Sequence, residues 1–141
     1  MPLVLFDSNI LIDNLEGHGA AVIELMNYRD AVISSISWVE IACKMDHTAR
    51  QHFKKFLADT GIGVVHPDDD IMERAAVIRG HSLRAPPKLP LLDCIIRATA
   101  EAYGRLVITR NPADFGGEGP MVRVPYEIIN GVAVNIKPPP P

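Results

Sequence analysis

Four acidic residues occupy places where a carboxylate needs a reason. Asp7 directly follows the apolar run Leu3-Val4-Leu5-Phe6, and Asp93 stands inside Pro90-Leu91-Leu92-Asp93-Cys94-Ile95-Ile96. Asp114 closes Thr109-Arg110-Asn111-Pro112-Ala113-Asp114, and Glu40 is the fourth residue of Ser37-Trp38-Val39-Glu40. Each has an ordinary local explanation. Asp7 can cap the helix that follows, although Ser8 or Asn9 can do so equally well. Asp93 suits the first turn of a helix, where the dipole favours negative charge. Turn chemistry favours Asp114, and Ser37 with Glu40 fits a capping box. The combination says more. Asp7 and Asp114 both follow strands, while Glu40 and Asp93 lie early in helices that can face the same sheet edge. Unit charges ~5 Å apart at an effective dielectric near 20 repel by roughly 3 kcal/mol per pair, so four converging carboxylates need a cation. Oxygen-only ligands favour Mg²⁺ or Mn²⁺ over zinc, and such an ion suits hydrolysis of phosphodiesters.

The elements that must position these acids can be read from periodicity. Leu3-Val4-Leu5-Phe6 is an unbroken apolar run suited to a strand buried on both faces. Ile10, Leu11 and Leu15 then share a helical face, and a second helical stretch covers 20–28 after the glycines 17 and 19. A strand is expected over 31–34, a helix from the Ser37 box through Met45, an amphipathic helix over 48–58 and a strand over 62–65. Asp68-Asp69-Asp70 caps a helix over 71–81, residues 85–90 form a proline-stiffened loop, and Leu91–Tyr103 is a helix stopped by Gly104. A strand over 105–109 leads to a turn-rich stretch over 111–119, with short strands at 121–124 and 131–136. Strands alternating with helices predict right-handed crossovers and an α/β fold. Its expected form is a three-layer α/β/α sandwich around a mostly parallel sheet, with the site at the carboxyl ends of the strands.

The chain of 141 residues suits one domain, expected over 1–136, with a proline-rich tail over 137–141 that extends as a polyproline helix or is disordered. An apolar share of 48% and a charged share of 22% exclude a disordered, fibrous or disulfide-framed protein. No apolar run reaches the ~20 residues of a membrane helix. The N-terminus lacks the basic start of a secretion signal, so a complete cytoplasmic protein is expected. The net charge of −3 taken alone argues mildly against nucleic acid as a partner. Setting the four clustered acids aside leaves 14 basic against 13 acidic residues, and the objection lapses. Cys43 and Cys94, with no Cys-x-x-Cys pair, are expected to be reduced, buried thiols. Asp13, Glu73 and Glu101 are expected at the surface, and His18, His47, His52, His66 and His81 receive no role.

Four segments together resemble the motifs of PIN-domain ribonucleases: Val4 to Asp13, Ser35 to Ile41, Leu92 to Ala100 and Leu106 to Phe115. Their order and spacing are most similar to the VapC toxins of bacterial toxin–antitoxin pairs. The resemblance implies a Mg²⁺- or Mn²⁺-dependent endoribonuclease. In it Asp7 and Asp93 match the principal metal ligands, Glu40 an acid acting directly or through water, and Asp114 the fourth acid. Asn9, Thr109 and Asn111 match residues that orient ligands or substrate. It also implies an antitoxin partner and a homodimer, for which the amphipathic region 37–58 is a candidate surface, although core packing explains the same pattern. Lys88, Arg84, Arg105 and Arg110 adjoin the third and fourth motifs and are candidate contacts to the RNA backbone. Arg97 departs from the pattern, which has a small residue there. It is expected to snorkel to solvent, the alternatives being contact with an RNA phosphate or occupancy of the acidic pocket.

Two rival functions share these residues. Aspartate-nucleophile phosphatases of the haloacid-dehalogenase type also place an Asp after the first strand, but carry a second Asp two positions on, where this chain has Asn9. A non-catalytic RNA- or protein-binding module would keep the fold with an idle pocket.

Overall fold

The computed structural model describes all residues 1–141. Five short parallel strands form the central sheet in the order β3-β2-β1-β4-β5. These are β1 (Val4–Phe6), β2 (Val32–Ser34), β3 (Gly63–Val65), β4 (Leu106–Ile108) and β5 (Val122–Arg123). The chain leaves β1 through α1 (Ser8–Leu15) and α2 (Gly19–Met26), and β2 through α3 (Ser35–Ala42) and α4 (His47–Thr60). From β3 it passes α5 (Asp69–Arg84) and α6 (Leu91–Tyr103), and from β4 a single 3-10 turn, Pro112–Phe115.

Strand alternation separates the layers, as a pleated backbone requires. Val4, Phe6, Ile33 and Ile108 point to one face and pack with Ile10, Leu11, Leu25, Phe53 and Leu57 of the helices α1, α2 and α4. Leu5, Val32 and Val107 point to the other face, against Ile96 and Ala100 of α6. Helix α5 then packs on α6 through Ile71 and Ala75 against Cys94, Ile95 and Ala98. Helix α3 serves both sides, with Ile41 and Ala42 in the first layer and Ile36 against the second. The expected three-layer α/β/α arrangement is therefore the observed one. No helix is long and apolar enough to cross a membrane.

Several local expectations change. Ser34, not Ser37, caps α3, its Oγ accepting from the Ile36 N–H at 3.1 Å. Ser34 is still paired with Val65 in the sheet, so the helix begins directly where the strand ends, and Ser37 and Glu40 fall inside it. Cys43 is exposed because α3 stops at Ala42 and leaves it as the cap; Cys94 is buried. An antiparallel hairpin, β6 (Glu127–Ile129) and β7 (Val132–Val134), was expected only in its second strand. Its turn is Asn130-Gly131, both at positive φ (52° and 76°), the two-residue type that matches strand twist. In the 37–58 region, Phe53 and Leu57 are used in the core, and among the large apolar residues Val39 remains exposed. The apolar pattern there reflects packing, and an exposed apolar face lies instead on α2, at Val22, Ile23 and Met26.

Candidate active site

Strand order reverses at β1, with β2 on one side and β4 on the other, so the ends of β1 and β4 open a crevice where α/β sheets hold ligands. Asp7 ends β1 there and Thr109 ends β4. The Asp7 N–H donates to the Ile108 carbonyl at 3.0 Å, which fixes the two strand ends in register. The Thr109 hydroxyl, fully buried, donates to Asp7 Oδ2 at 2.8 Å. Thr109 Oγ1 in turn accepts from the Asn111 N–H at 2.9 Å and from Asn9 Nδ2 at 3.3 Å. Those two groups have only protons to give, so the single hydroxyl proton of Thr109 is committed to Asp7. Asn9 Nδ2 also reaches Asp7 Oδ2 at 3.2 Å, and its Oδ1 accepts from the Arg110 N–H at 3.3 Å. Asp7 Oδ1 accepts from the Ser8 N–H at 2.8 Å, so the capping role and a place in the crevice coexist.

The other three acids converge on this point electrostatically. Burial, with a further contribution from the Asp114 charge, raises the Asp7 carboxyl above its usual range against the opposing bonds from Thr109 and Ser8. Glu40 is raised by burial first, then by the charge of Asp7, while Ser8 pulls it the other way. Asp93, in the first turn of α6, is pushed up to about 7 by burial and then by Asp114, Asp7 and Glu40 in that order. No ion pair joins any of the four to a basic residue. Glu40 Oε1 is buried with no hydrogen-bond partner.

This donor set fits a hard divalent cation: four carboxylates, one oxygen orphaned, two of them at the positive ends of α1 and α6, and no protein countercharge. A second group, Asp13, Glu16 and His18, has ligand atoms within 4.8 Å of one another. It does not fit, because Arg110 holds both oxygens of Asp13 at 2.6 and 2.9 Å and the Tyr126 hydroxyl adds a bond at 2.8 Å.

That arrangement corrects two expectations. Asp13 is only 2% exposed, not a surface acid, and Arg110 is its structural partner rather than a free contact for RNA. A matching cluster joins Glu24 to Arg123 at 2.9 Å and to the Tyr28 hydroxyl at 2.7 Å. Arg105 is also misplaced for RNA near the acids, since its Nη1 binds the Val4 and Asp30 carbonyls at the opposite end of the sheet. Lys88 and Arg84 are exposed around the loop between α5 and α6. Arg97 pairs with Glu101 at 3.2 Å and makes no hydrogen bond or ion pair with the four acids; its guanidinium lies against Gly116 rather than reaching into solvent as expected. Glu73 and Glu101 are exposed, as expected. Ser8 is the site residue that sequence reasoning passed over except as a cap; its place between Asp7 and the first helical turn was the available signal.

The PIN domain profile matches residues 4–115, a span that contains all four acids. Among solved structures, a chain of a toxin–antitoxin complex from Klebsiella pneumoniae is 34% identical, with a TM-score of 0.74 over 89% of this chain and 99% of that one. Two more distant likenesses are to the fold alone. One is VapBC2 from Rickettsia felis bound to a promoter DNA fragment, 14% identical with a TM-score of 0.71 over 86% of this chain and 97% of that one. The other is DNA-bound VapBC from Salmonella typhimurium, 20% identical with a TM-score of 0.68 over 87% and 96%. A comparison with curated protein sequences finds no match. Matched over most of its length by both a domain profile and a solved relative, the chain belongs to the PIN domain family.

Proposed function

We propose that this protein is a Mg²⁺- or Mn²⁺-dependent endoribonuclease acting in the cytoplasm, the toxin of a toxin–antitoxin pair, with Asp7, Glu40, Asp93 and Asp114 as its catalytic acids. The reading is supported by four acids set around the β1–β4 crevice that act on one another's charges, with no ion pair to a basic residue and with Glu40 Oε1 buried and unpartnered. Asp7 and Asp93 would hold the cation with Asp114, and Glu40 would join directly or through water. The bound ion would polarise a phosphoryl oxygen, activate a water and offset developing charge.

The remaining work falls to the protein's own groups. Thr109 and Asn9 hold Asp7 Oδ2 in place, and Asn111 fixes Thr109 through its backbone N–H. The N-termini of α1 and α6 turn partial positive charge toward the crevice, which suits an incoming phosphate as well as the carboxylates. Asp93 must release its proton to act as a ligand, so loading weakens below about pH 7. An antitoxin and a second copy of the chain are the proposed protein partners. The Klebsiella relative, solved in a toxin–antitoxin complex, supports the first of them.

The test compares wild type with Asp7→Asn and Asp93→Asn for cleavage of RNA with Mg²⁺ or Mn²⁺ and for growth arrest on expression. Each substitution is expected to lower cleavage at least about a hundredfold, more than the loss usual for groups that only support a metal ligand. Unchanged cleavage and toxicity would overturn the assignment. A trapped phospho-aspartate at Asp7 would favour the phosphatase-like rival, and metal binding without cleavage of any RNA would favour the non-catalytic module.

A further inference from the structure

A cleft of about 620 Å³ lies between α5, the 85–89 loop, α6 and the 3-10 turn that carries Asp114. That volume is within the range of small-ligand sites. Its charged lining is Arg84, Arg97 and the carboxylate of Glu101, with His81 beside them. Arg84 has no hydrogen-bond or ion-pair partner; its guanidinium folds over Gly80, with Nη1 3.5 Å from where a Cβ would stand. Arg97 uses Nε on Glu101, while both of its Nη atoms lie against Gly116, at 3.2 and 3.5 Å from a Cβ position there. His81 is exposed at the same rim, and Ile78, Pro87 and Leu89 supply an apolar wall.

None of the four acids lines the cleft, but two of the segments that carry them do. Ala113 and Gly116 line it and bracket Asp114, and Arg97 follows Asp93 by one turn of α6. Four residues advance a helix by about 6 Å, the reach of one nucleotide step along a strand. We propose that this cleft is a nucleotide subsite for single-stranded RNA. Arg97 and Arg84 take the phosphate adjoining the one at the acids, and Ile78, Pro87 and Leu89 form the wall for its base. Gly116, with no Cβ, leaves room for the guanidinium of Arg97, whose terminal N–H groups have no protein acceptor and can serve two phosphate oxygens. The inference rests on the nuclease reading and adds where the strand runs.

The experiment measures cleavage of a short single-stranded RNA, and binding of the same RNA in EDTA, for wild type and the Arg84→Gln/Arg97→Gln double variant. Both KM and Kd are expected to rise roughly tenfold, with kcat falling less than KM rises. The slope of log affinity against log salt should drop by about 1. Glu101→Gln removes the same ion pair but keeps the guanidinium, so it should leave KM near the wild-type value; a KM rise equal to that of the double variant would assign Arg97 a merely structural role and overturn the inference. Lys55→Gln, a remote surface charge paired with Asp59, controls for general electrostatics and should change nothing. Cleavage by wild type with KM, Kd and salt slope unchanged in the double variant would overturn the subsite alone. Absence of cleavage of any RNA by wild type would overturn the nuclease reading and the subsite with it. Weakened binding of an acidic peptide with RNA affinity intact would give the cleft to a protein partner instead.

Discussion

Crowded acids should make the metal-free protein less stable than a variant with one acid neutralised, and Asp93→Asn tests this. The folded protein keeps a proton on Asp93 up to about pH 7, whereas the carboxyl's ordinary value is 3.8. Between those values the folded state binds a proton that the unfolded chain has lost, so stability falls as pH rises. The contribution is complete below about pH 3.8 and gone above about pH 7. At 1.36 kcal/mol per unit the whole shift corresponds to about 4 kcal/mol, a ceiling. The Asp93 carboxyl is partly open to water, and screening reduces the effect to about 1–2 kcal/mol. Asparagine also forfeits roughly 0.3–1 kcal/mol of charge–dipole stabilisation at the start of α6. The variant should therefore be more stable than wild type by about 1 kcal/mol at pH 8 in EDTA, a rise in Tm of roughly 3 °C. The gap should shrink toward zero near pH 4.5. Urea titrations across that interval measure it directly. Mn²⁺ at a hundred times its Kd should reverse the order, adding about 2.7 kcal/mol to wild type and much less to the variant. A variant that is destabilised equally at both pH values would refute the argument that burial and the neighbouring acids penalise the Asp93 charge.

Thr109→Val removes the proton that orients Asp7 and leaves the Asn111 N–H without its acceptor; a loss of about 2 kcal/mol by denaturation and a 10–100-fold weaker metal affinity by calorimetry are expected. Asp13→Asn strips Arg110 of its countercharge in a mostly buried setting and should cost about 3 kcal/mol in urea titrations, whereas Tyr126→Phe should cost about 1 kcal/mol.

The layers were legible because their signals are local, whereas the four acids stood out only in combination, each alone having an ordinary local explanation. An unbroken apolar run such as Leu3-Val4-Leu5-Phe6 admits few readings, and Leu91–Tyr103 carries its stop signal in Gly104. What failed was pairing across the chain. Asp13 looks like any solvated acid in a helix, and its partners lie 97 and 113 residues away. No window of sequence connects them. The start of α3 failed for a different reason: Ser34, Ser35 and Ser37 can all cap, and the choice is made by where β2 stops pairing with β3. The β6–β7 hairpin was available in Asn130-Gly131, since that dipeptide supplies two left-handed positions at low cost.

The two acid–arginine–tyrosine clusters bear on where the folding unit ends. The family profile stops at residue 115, yet Arg123, which neutralises Glu24, and Tyr126, which completes the cluster at Asp13, lie beyond it. Strand β5 and the backbone bond from Lys137 to Pro125 lie there as well. A chain cut at Phe115 would retain every acid of the crevice but leave Glu24, only 3% exposed, inside the protein with no positive partner. The segment matched by the family profile is therefore shorter than the unit these contacts tie together, and the last stretch of chain acts as an electrostatic clasp holding the first two helices to the sheet.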